Sequence, residues 1–149
     1  MKNINFYEFL GIMVGDGCLL YYPKYRIYGV EITGNAMEEQ DYYQKIAKFL
    51  KEEFNLNSKI YVKHQPKGDG LKLIVYNKHF AELLLKYGIV PSKTYCIELI
   101  QELIEWNKSQ HILRGIFETD GSLYFSKSKI KIRNPSYPRL EIKTATETC

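Results

Sequence analysis

The sequence predicts an α+β protein in which helices cover one face of an antiparallel sheet. The first observation is the order of the predicted elements, which is helix, two strands, helix, two strands, helix. The second is that the opening segment of the chain recurs near its C-terminal end. The third is size, because 149 residues with 45% hydrophobic content are enough to bury a core.

The first predicted helix covers residues 4–15, which are almost entirely apolar and are followed by Asp16-Gly17. An Asp-Gly pair after an apolar run is typical of a helix end. Two strands follow at 17–22 and 26–33, joined by a turn at Pro23-Lys24. These elements are the first three of the predicted order.

The second predicted helix covers residues 37–54 and presents one apolar face. That face is expected to contain Met37, Tyr42, Ile46, Phe49 and Leu50. The remaining predicted elements are strands at 58–64 and 71–76 around a Pro66–Gly70 turn, a helix at 78–87 ended by Gly88, and a short helix near 97–106. Apolar and polar residues alternate along both strands, as in a sheet with one buried face.

An internal repeat aligns Phe9–Tyr21 with Leu113–Phe125. The identical pairs are Gly11/Gly115, Ile12/Ile116, Asp16/Asp120, Gly17/Gly121 and Leu19/Leu123. The similarity resumes where Val30-Glu31-Ile32 resembles Leu140-Glu141-Ile142. We therefore expect a complete unit at 1–106 and the start of a second unit, one helix and two strands, at 107–149.

Small residues recur with helical spacing in both copies. Gly11 and Gly15 are four residues apart, and Gly115 and Thr119 have the same spacing. Small residues on one face let two helix backbones approach closely, and a mid-helix glycine costs about 1 kcal/mol, so it needs a packing reason. We expect the helix at 4–15 to pack against a helix at 108–119 through these four residues.

Asp16 and Asp120 then come to the C-terminal ends of two adjacent helices. Both the helix dipoles and mutual repulsion disfavour two carboxylates there, unless a cation lies between them. Oxygen ligands suit Mg²⁺, or a similar ion such as Mn²⁺, which commonly binds carboxylates together with a phosphate. A single Asp-Gly is usually only a helix-ending turn, but two copies followed by matching strands favour the metal-site interpretation.

Basic residues are concentrated in the predicted strands. Five lie between Leu56 and Lys78, and six lie between Gly121 and Lys143 with Glu141 as the one acid. A solvated sheet face explains the alternation but not the excess of one sign, whereas antiparallel strands in a DNA groove explain both. The candidate DNA-binding residues are Tyr22, Lys24, Arg26, Glu31, Lys59, Tyr61, Lys63, Lys67, Tyr124, Lys127, Lys129, Lys131, Arg133, Arg139, Glu141 and Lys143.

Composition excludes several other classes. No apolar run approaches the roughly 18 residues of a membrane span, and the first residues lack secretory-signal features. The three cysteines and three histidines are scattered without metal-site or disulfide spacing. We therefore expect an intracellular protein, cytoplasmic or organellar. The net charge of +4 is only a mild bias toward polyanions.

The segments Phe9–Gly17 and Leu113–Gly121, together with Ser122–Phe125, resemble the motifs of the LAGLIDADG homing endonucleases, which serve intron or intein mobility. Two motifs in one chain resemble the monomeric, pseudosymmetric branch. The resemblance implies an αββαββα unit whose saddle-shaped antiparallel sheet lies along double-stranded DNA. It also implies site-specific, double-strand hydrolysis of phosphodiester bonds. Val14 departs from the motif, which has an acid at this position.

The resemblance assigns the divalent metal to the last acid of each motif, here Asp16 and Asp120. It also implies a basic residue near the scissile phosphates, for which Lys72 is the candidate by strand position. The second unit looks truncated. Either the activity of this truncated or decayed form is impaired, or self-association or strand exchange between copies completes the unit.

Two other functions fit the same sequence. The first is a non-catalytic nucleic-acid binder, such as an intron RNA-splicing maturase or a decayed DNA-binding remnant, and retention of both aspartates argues mildly against it. The second is an interaction domain with no nucleic-acid role, which would need neither a metal nor a polyanion.

Overall fold

In the computed structural model, the helices and strands of the first unit follow the predicted order. The structure describes residues 3–64, 68–91, 100–126 and 137–142. The helices are α1 (Phe6–Val14), α2 (Gln40–Phe54), α3 (Lys78–Lys86) and α4 (Trp106–Asp120), with short 3-10 helices at Pro23–Tyr25 and Gln101–Ile104. The strands are β1 (Gly17–Tyr22), β2 (Ile27–Asn35), β3 (Lys59–Lys63), β4 (Gly70–Tyr76), β5 (Gly121–Ser126) and β6 (Tyr137–Ile142).

Strands β1 to β4 form one antiparallel sheet in the order β1-β2-β4-β3. The buried side chains of the sheet belong to its inner face, namely Leu19, Val30, Ile32, Leu71, Leu73 and Val75. They form one core with the apolar sides of α1, α2 and α3. The predicted α+β class, with helices on one side of an antiparallel sheet, is confirmed.

Aromatic rings join the helices in the core. The Phe9 ring lies 5.5 Å from Phe49 of α2 and 5.7 Å from Phe80 of α3, between ring centroids. Phe54 and Phe80 are 4.8 Å apart. Because such ring pairs add to the free energy of burial, they fix the position of α1 relative to α2 and α3.

Two asparagines begin helices through their side chains. Asn5 Oδ1 accepts from the Glu8 backbone N–H at 2.9 Å, and Asn77 Oδ1 accepts from Phe80 N–H at 2.8 Å. These bonds satisfy donors that the first helical turn leaves without an intrahelical partner. Among the described residues, no helix combines the length and the apolar character needed to cross a bilayer.

The predicted start of the second helix is wrong by three residues. Helix α2 begins at Gln40, and Met37 is 86% exposed instead of lying on the apolar face. Asn35 Oδ1 accepts from Met37 N–H at 2.9 Å, and this local turn competes with the helix. Tyr42 packs against the core as predicted but is half-buried, and Tyr43, 2% exposed, lies deeper.

The predicted short helix near 97–106 is also wrong in its described part. Its first residues lie outside the described ones, and its remainder is a single 3-10 turn at Gln101–Ile104. Glu105 is not helical, with ψ at 134°, and α4 begins at Trp106, two residues before the predicted 108. A strand extending through 129–133 lies outside the described residues.

The second copy of the motif forms α4 and the β5–β6 hairpin. These strands pair antiparallel, with Gly121 opposite Ile142 and Tyr124 opposite Arg139. They form a two-stranded sheet separate from the first one.

Candidate active site and nucleic-acid interface

Helices α1 and α4 cross where glycine meets glycine. A Cβ atom on Gly11 would lie 2.9 Å from the Gly115 Cα and would clash with the Ile112 carbonyl oxygen. A Cβ atom on Gly115 would clash in turn with the Glu8 carbonyl oxygen. The colliding atoms belong to the backbone and cannot rotate away, so this close approach requires glycine at both positions.

The same contact continues to the C-terminal ends of the two helices. A Cβ atom on Gly15 would clash with Thr119 Oγ1 and would lie 3.4 Å from the Asp120 carboxylate oxygen Oδ2. The Thr119 hydroxyl is held by its own helix, where it donates toward the Ile116 carbonyl at 3.0 Å. The carboxylate of Asp120 therefore lies beside the residue that immediately precedes Asp16.

Asp16 is half-buried between the end of α1 and the start of β1. Its carbonyl oxygen accepts from the Thr33 backbone N–H at 3.5 Å. Burial, with the negative charges of Glu39 and Asp16, raises the pKa of the Tyr43 hydroxyl. The negative charge of Asp16 is therefore close enough to the start of α2 to affect the Tyr43 hydroxyl.

The donor set at these helix ends fits a hard divalent cation. Asp16 and Asp120 supply carboxylate oxygens, and both residues are half-buried. Among the described residues, no three His, Cys, Asp or Glu side chains form a group that could hold a metal. A Mg²⁺ or Mn²⁺ ion bound between Asp16 and Asp120 would take carboxylate oxygens from both and further oxygens from water or phosphate.

The outer face of the four-stranded sheet carries cations and tyrosines. Lys59 and Lys63 are exposed on β3, and Tyr61 between them is 49% exposed. At the other end of the sheet, the β1–β2 turn presents exposed Lys24 and Arg26, with Tyr22 beside them. The strand registers place Tyr22, Lys59, Tyr61 and Lys63 on the outer face, and Lys24 and Arg26 are exposed at the turn next to it.

Lys72 lies on the same outer face, in a row of residues that crosses the sheet from Asp16. The strand registers place Thr33 opposite Lys72 and Lys72 opposite Tyr61. Because neighbouring strands are about 4.8 Å apart, Lys72 lies two strands, or about 10 Å, from Asp16 between Cα atoms. Its ammonium forms an ion pair with Glu31, in which Nζ lies 2.7 Å from Oε1.

The second copy contributes less to the described surface. Tyr124, Arg139 and Glu141 belong to β5 and β6, where Tyr124 pairs with Arg139 and Ser122 pairs with Glu141. The other predicted DNA-binding residues lie outside the described ranges, namely Lys67, Lys127, Lys129, Lys131, Arg133 and Lys143.

A buried polar contact between α1, α2 and α4 was missed from the sequence. Glu8 is 1% exposed, and its Oε1 lies 3.6 Å from Arg114 Nε and 3.4 Å from the Tyr42 hydroxyl, which donates to it. Burial raises the pKa of Glu8, against the opposing effects of Arg114 and Tyr42. The available signal was a lone acid within an apolar helix, together with the one arginine of α4.

Comparisons with known proteins give matches among solved structures. Neither a protein-family model nor a curated protein matches the sequence. The homing endonuclease I-DmoI, in a study of mesophilic variants, is similar with a TM-score of 0.52 and 21% identity over 78% of this chain. The chain spans about 60% of the length of that protein.

Two further structures were determined with DNA. A variant of I-DmoI in complex with its target DNA and in the presence of Mg matches with a TM-score of 0.51 and 20% identity, covering 78% of this chain and 61% of its own. The homing endonuclease I-WcaI, bound to its DNA recognition sequence, matches with a TM-score of 0.52 and 12% identity, covering 88% of this chain and 58% of its own. The chain therefore has the fold of these homing endonucleases.

Proposed function

We propose that this protein is a site-specific endonuclease for double-stranded DNA, using a divalent cation held by Asp16 and Asp120. The observation that carries the proposal is the position of the Asp120 carboxylate, whose Oδ2 would lie 3.4 Å from a Cβ atom on Gly15. Two acids that are far apart in sequence thus lie at neighbouring helix ends. The fold shared with I-DmoI and I-WcaI supports the same function.

In this proposal the helix crossing positions the acids. Gly11 and Gly115 let the α1 and α4 backbones touch, and Gly15 and Thr119 continue the contact to the helix ends. The negative ends of both helix dipoles add to the two carboxylate charges and favour a bound cation. When bound, Mg²⁺ or Mn²⁺ supplies polarisation of the phosphate and activation of a water molecule.

The outer sheet face would bind the DNA. Lysines and arginines neutralise phosphates, while Tyr22, Tyr61 and Glu31 offer polar contacts in the groove. Lys72 lies in the same row as Asp16 and would reach a phosphate held near the acids. Because the two copies of the motif in one chain differ in sequence, we infer a long, asymmetric DNA site.

The comparison structures support this assignment of partner and cation. One I-DmoI structure is described as a complex with its target DNA in the presence of Mn, and another in the presence of Mg. Identities near 20% carry the fold only, so the catalytic role of Asp16 and Asp120 has to be tested directly.

The test begins by selecting duplexes from a randomised library with the Asp16→Asn/Asp120→Asn variant, which binds DNA without cutting it in this proposal. The native protein is then incubated with the selected duplexes in Mg²⁺. We expect double-strand cleavage that EDTA abolishes. Each single Asp→Asn change should lower the cleavage rate at least ~100-fold, because a metal ligand is lost.

Asp41→Asn is the matched control, since Asp41 is exposed on the first turn of α2. It makes the same chemical change away from the helix ends and should cleave like the native protein. Robust cleavage by the double variant would refute the carboxylate roles. Binding of structured RNA without nicking in Mg²⁺ would instead favour the splicing-factor alternative.

A further inference from the structure

A short ion pair lies at the centre of the proposed DNA-binding face. Lys72 Nζ is 2.7 Å from Glu31 Oε1, and the two side chains are 39% and 23% exposed. They belong to β4 and β2, the two inner strands of the sheet. Glu31 is the one acidic residue in strands β1 to β4, where cations otherwise predominate.

The registers show in which direction Glu31 draws Lys72. Lys72 lies opposite Thr33 in the row that leads to Asp16. Glu31 lies opposite Cys18 and Ile74, one row further from the helix ends. Residues two apart on a strand are about 7 Å apart, so the ion pair directs the Lys72 ammonium away from the Asp16 row.

We propose that Glu31 is a releasable restraint on Lys72 that lowers affinity for non-target DNA. Without bound DNA, Glu31 holds the ammonium and removes one cation from the set that contacts phosphate. A correctly docked phosphate competes with Glu31 for Lys72 and frees it to turn toward the Asp16 row. This role rests on the proposed function, because it requires DNA on the outer sheet face.

The partial exposure of the pair makes this exchange feasible. Solvent-accessible ion pairs contribute little net stability, since water and salt screen both charges. A DNA phosphate offers the lysine an equivalent partner and also releases counterions. Glu31 therefore lowers the affinity for loosely bound DNA, whose phosphates have no fixed position on the sheet. It lowers the affinity for tightly docked DNA less.

The test measures binding of a random-sequence duplex in EDTA across a range of KCl concentrations. Glu31→Gln keeps the size of the side chain but releases Lys72. We expect it to bind the duplex about 3- to 10-fold more tightly than the native protein, with a salt slope steeper by ~0.9, the effect of one more neutralised phosphate. In a Lys72→Met background, Glu31→Gln removes only the repulsion between the carboxylate and the phosphates, so the salt slope should not change.

Glu53→Gln is the matched control, since Glu53 is exposed on α2, which packs on the opposite side of the sheet. It changes the net charge equally and should leave the slope unaltered. The inference is overturned if the two Gln variants bind alike, or if Glu31→Gln acts equally with and without Lys72. Unfolding midpoints of all variants exclude a folding defect as the cause.

The design separates this inference from the proposed function. Native protein that binds DNA but never cleaves it in Mg²⁺ would refute the nuclease and leave the Glu31 result standing. Cleavage together with identical slopes for the two Gln variants would refute only the role of Glu31. Native protein without salt-dependent DNA binding would overturn both.

Discussion

At the scale of single residues, three glycines determine how closely α1 and α4 approach each other. Gly11, Gly15 and Gly115 each lie where a Cβ atom would meet the opposing helix. Elsewhere a helical glycine lowers stability by about 1 kcal/mol relative to alanine, so these positions forgo intrinsic helix stability for close contact. The contact in turn determines how near the two helix ends can come.

Gly11→Ala should destabilise the protein despite its higher helix propensity. The new methyl group would meet the Ile112 carbonyl and the Gly115 Cα, and backbone atoms cannot move aside as a side chain can. We expect the free energy of unfolding to fall by about 1–3 kcal/mol in urea denaturation, the usual cost of overpacking. Gln110→Ala, at an exposed position of α4, should change it by less than ~0.5 kcal/mol.

Gly11→Ala should also lower the cleavage rate more than it lowers DNA binding. The reason is that separated helices move Asp120 away from Asp16 while the outer sheet face is unaffected. Unchanged stability in the alanine variant would show that the helices are not held at this contact.

At the scale of elements, one buried carboxylate connects three helices. Glu8 of α1 lies within 3.6 Å of Arg114 on α4 and 3.4 Å of Tyr42 on α2. Such a contact gives little net stability, because burying the charges costs about as much as their attraction returns. It does favour one register of α1 against α4, since any slip would leave a buried charge without its partner.

The pH dependence of stability should reveal Glu8. Its pKa in the folded protein is raised above the ordinary value of 4.5, because burial disfavours the charged form. The folded state therefore binds this proton more tightly than the unfolded chain does, and the resulting stabilisation is fully present below pH 4.5. That stabilisation is lost as pH rises through the raised pKa.

We therefore expect Glu8→Gln to gain stability relative to the native protein as pH rises above 4.5. Urea denaturation of both proteins at several values between about pH 4 and pH 7.5 measures this difference. The exposed Glu53→Gln serves as the control. A difference that is constant with pH, or that changes in the opposite sense, would contradict the raised pKa.

At the scale of the whole molecule, the helices of the two motif copies differ in how deeply their apolar residues are buried. Phe9 of α1 is 0% exposed beneath Phe49 and Phe80, whereas Leu113, its counterpart in the repeat, is 48% exposed. Ile104 and Trp106 are exposed by 64% and 72% near the start of α4. Trp106 and Leu113 are seven residues apart on α4 and so lie on one helix face, and exposed apolar residues on one face commonly mark an interface.

We expect the protein to self-associate through Ile104, Trp106 and Leu113, because twofold symmetry can pair such a face with itself. Sedimentation velocity should show a sedimentation coefficient that rises with concentration, and Leu113→Glu should abolish the rise. Trp106 is the one tryptophan of the chain, so its fluorescence reports on the same face. Gln44→Glu, at an exposed position of α2, is the control, and a native protein that is monomeric at every concentration would contradict the prediction.

The sequence alone indicated the fold class, since hydrophobic periodicity and turn residues are local properties. It located β1 at Gly17–Tyr22 as observed, and it assigned the other three strands of the first sheet to within two residues of their observed bounds. It erred where short-range polar contacts compete with a helix, as with Met37 beside Asn35. The repeated glycines also suggested which two helices would meet, because close backbone contact is the main use of glycine inside a helix.

Only the tertiary structure showed which polar groups pair across elements. The ion pair between Glu31 and Lys72 depends on the register of β2 and β4, and a shift of one residue in that register would place the two side chains on opposite faces. The burial of Glu8 depends on the angle at which α1 meets α4 and α2. Pairing between distant residues is determined by packing geometry, whereas sequence patterns report on each segment separately.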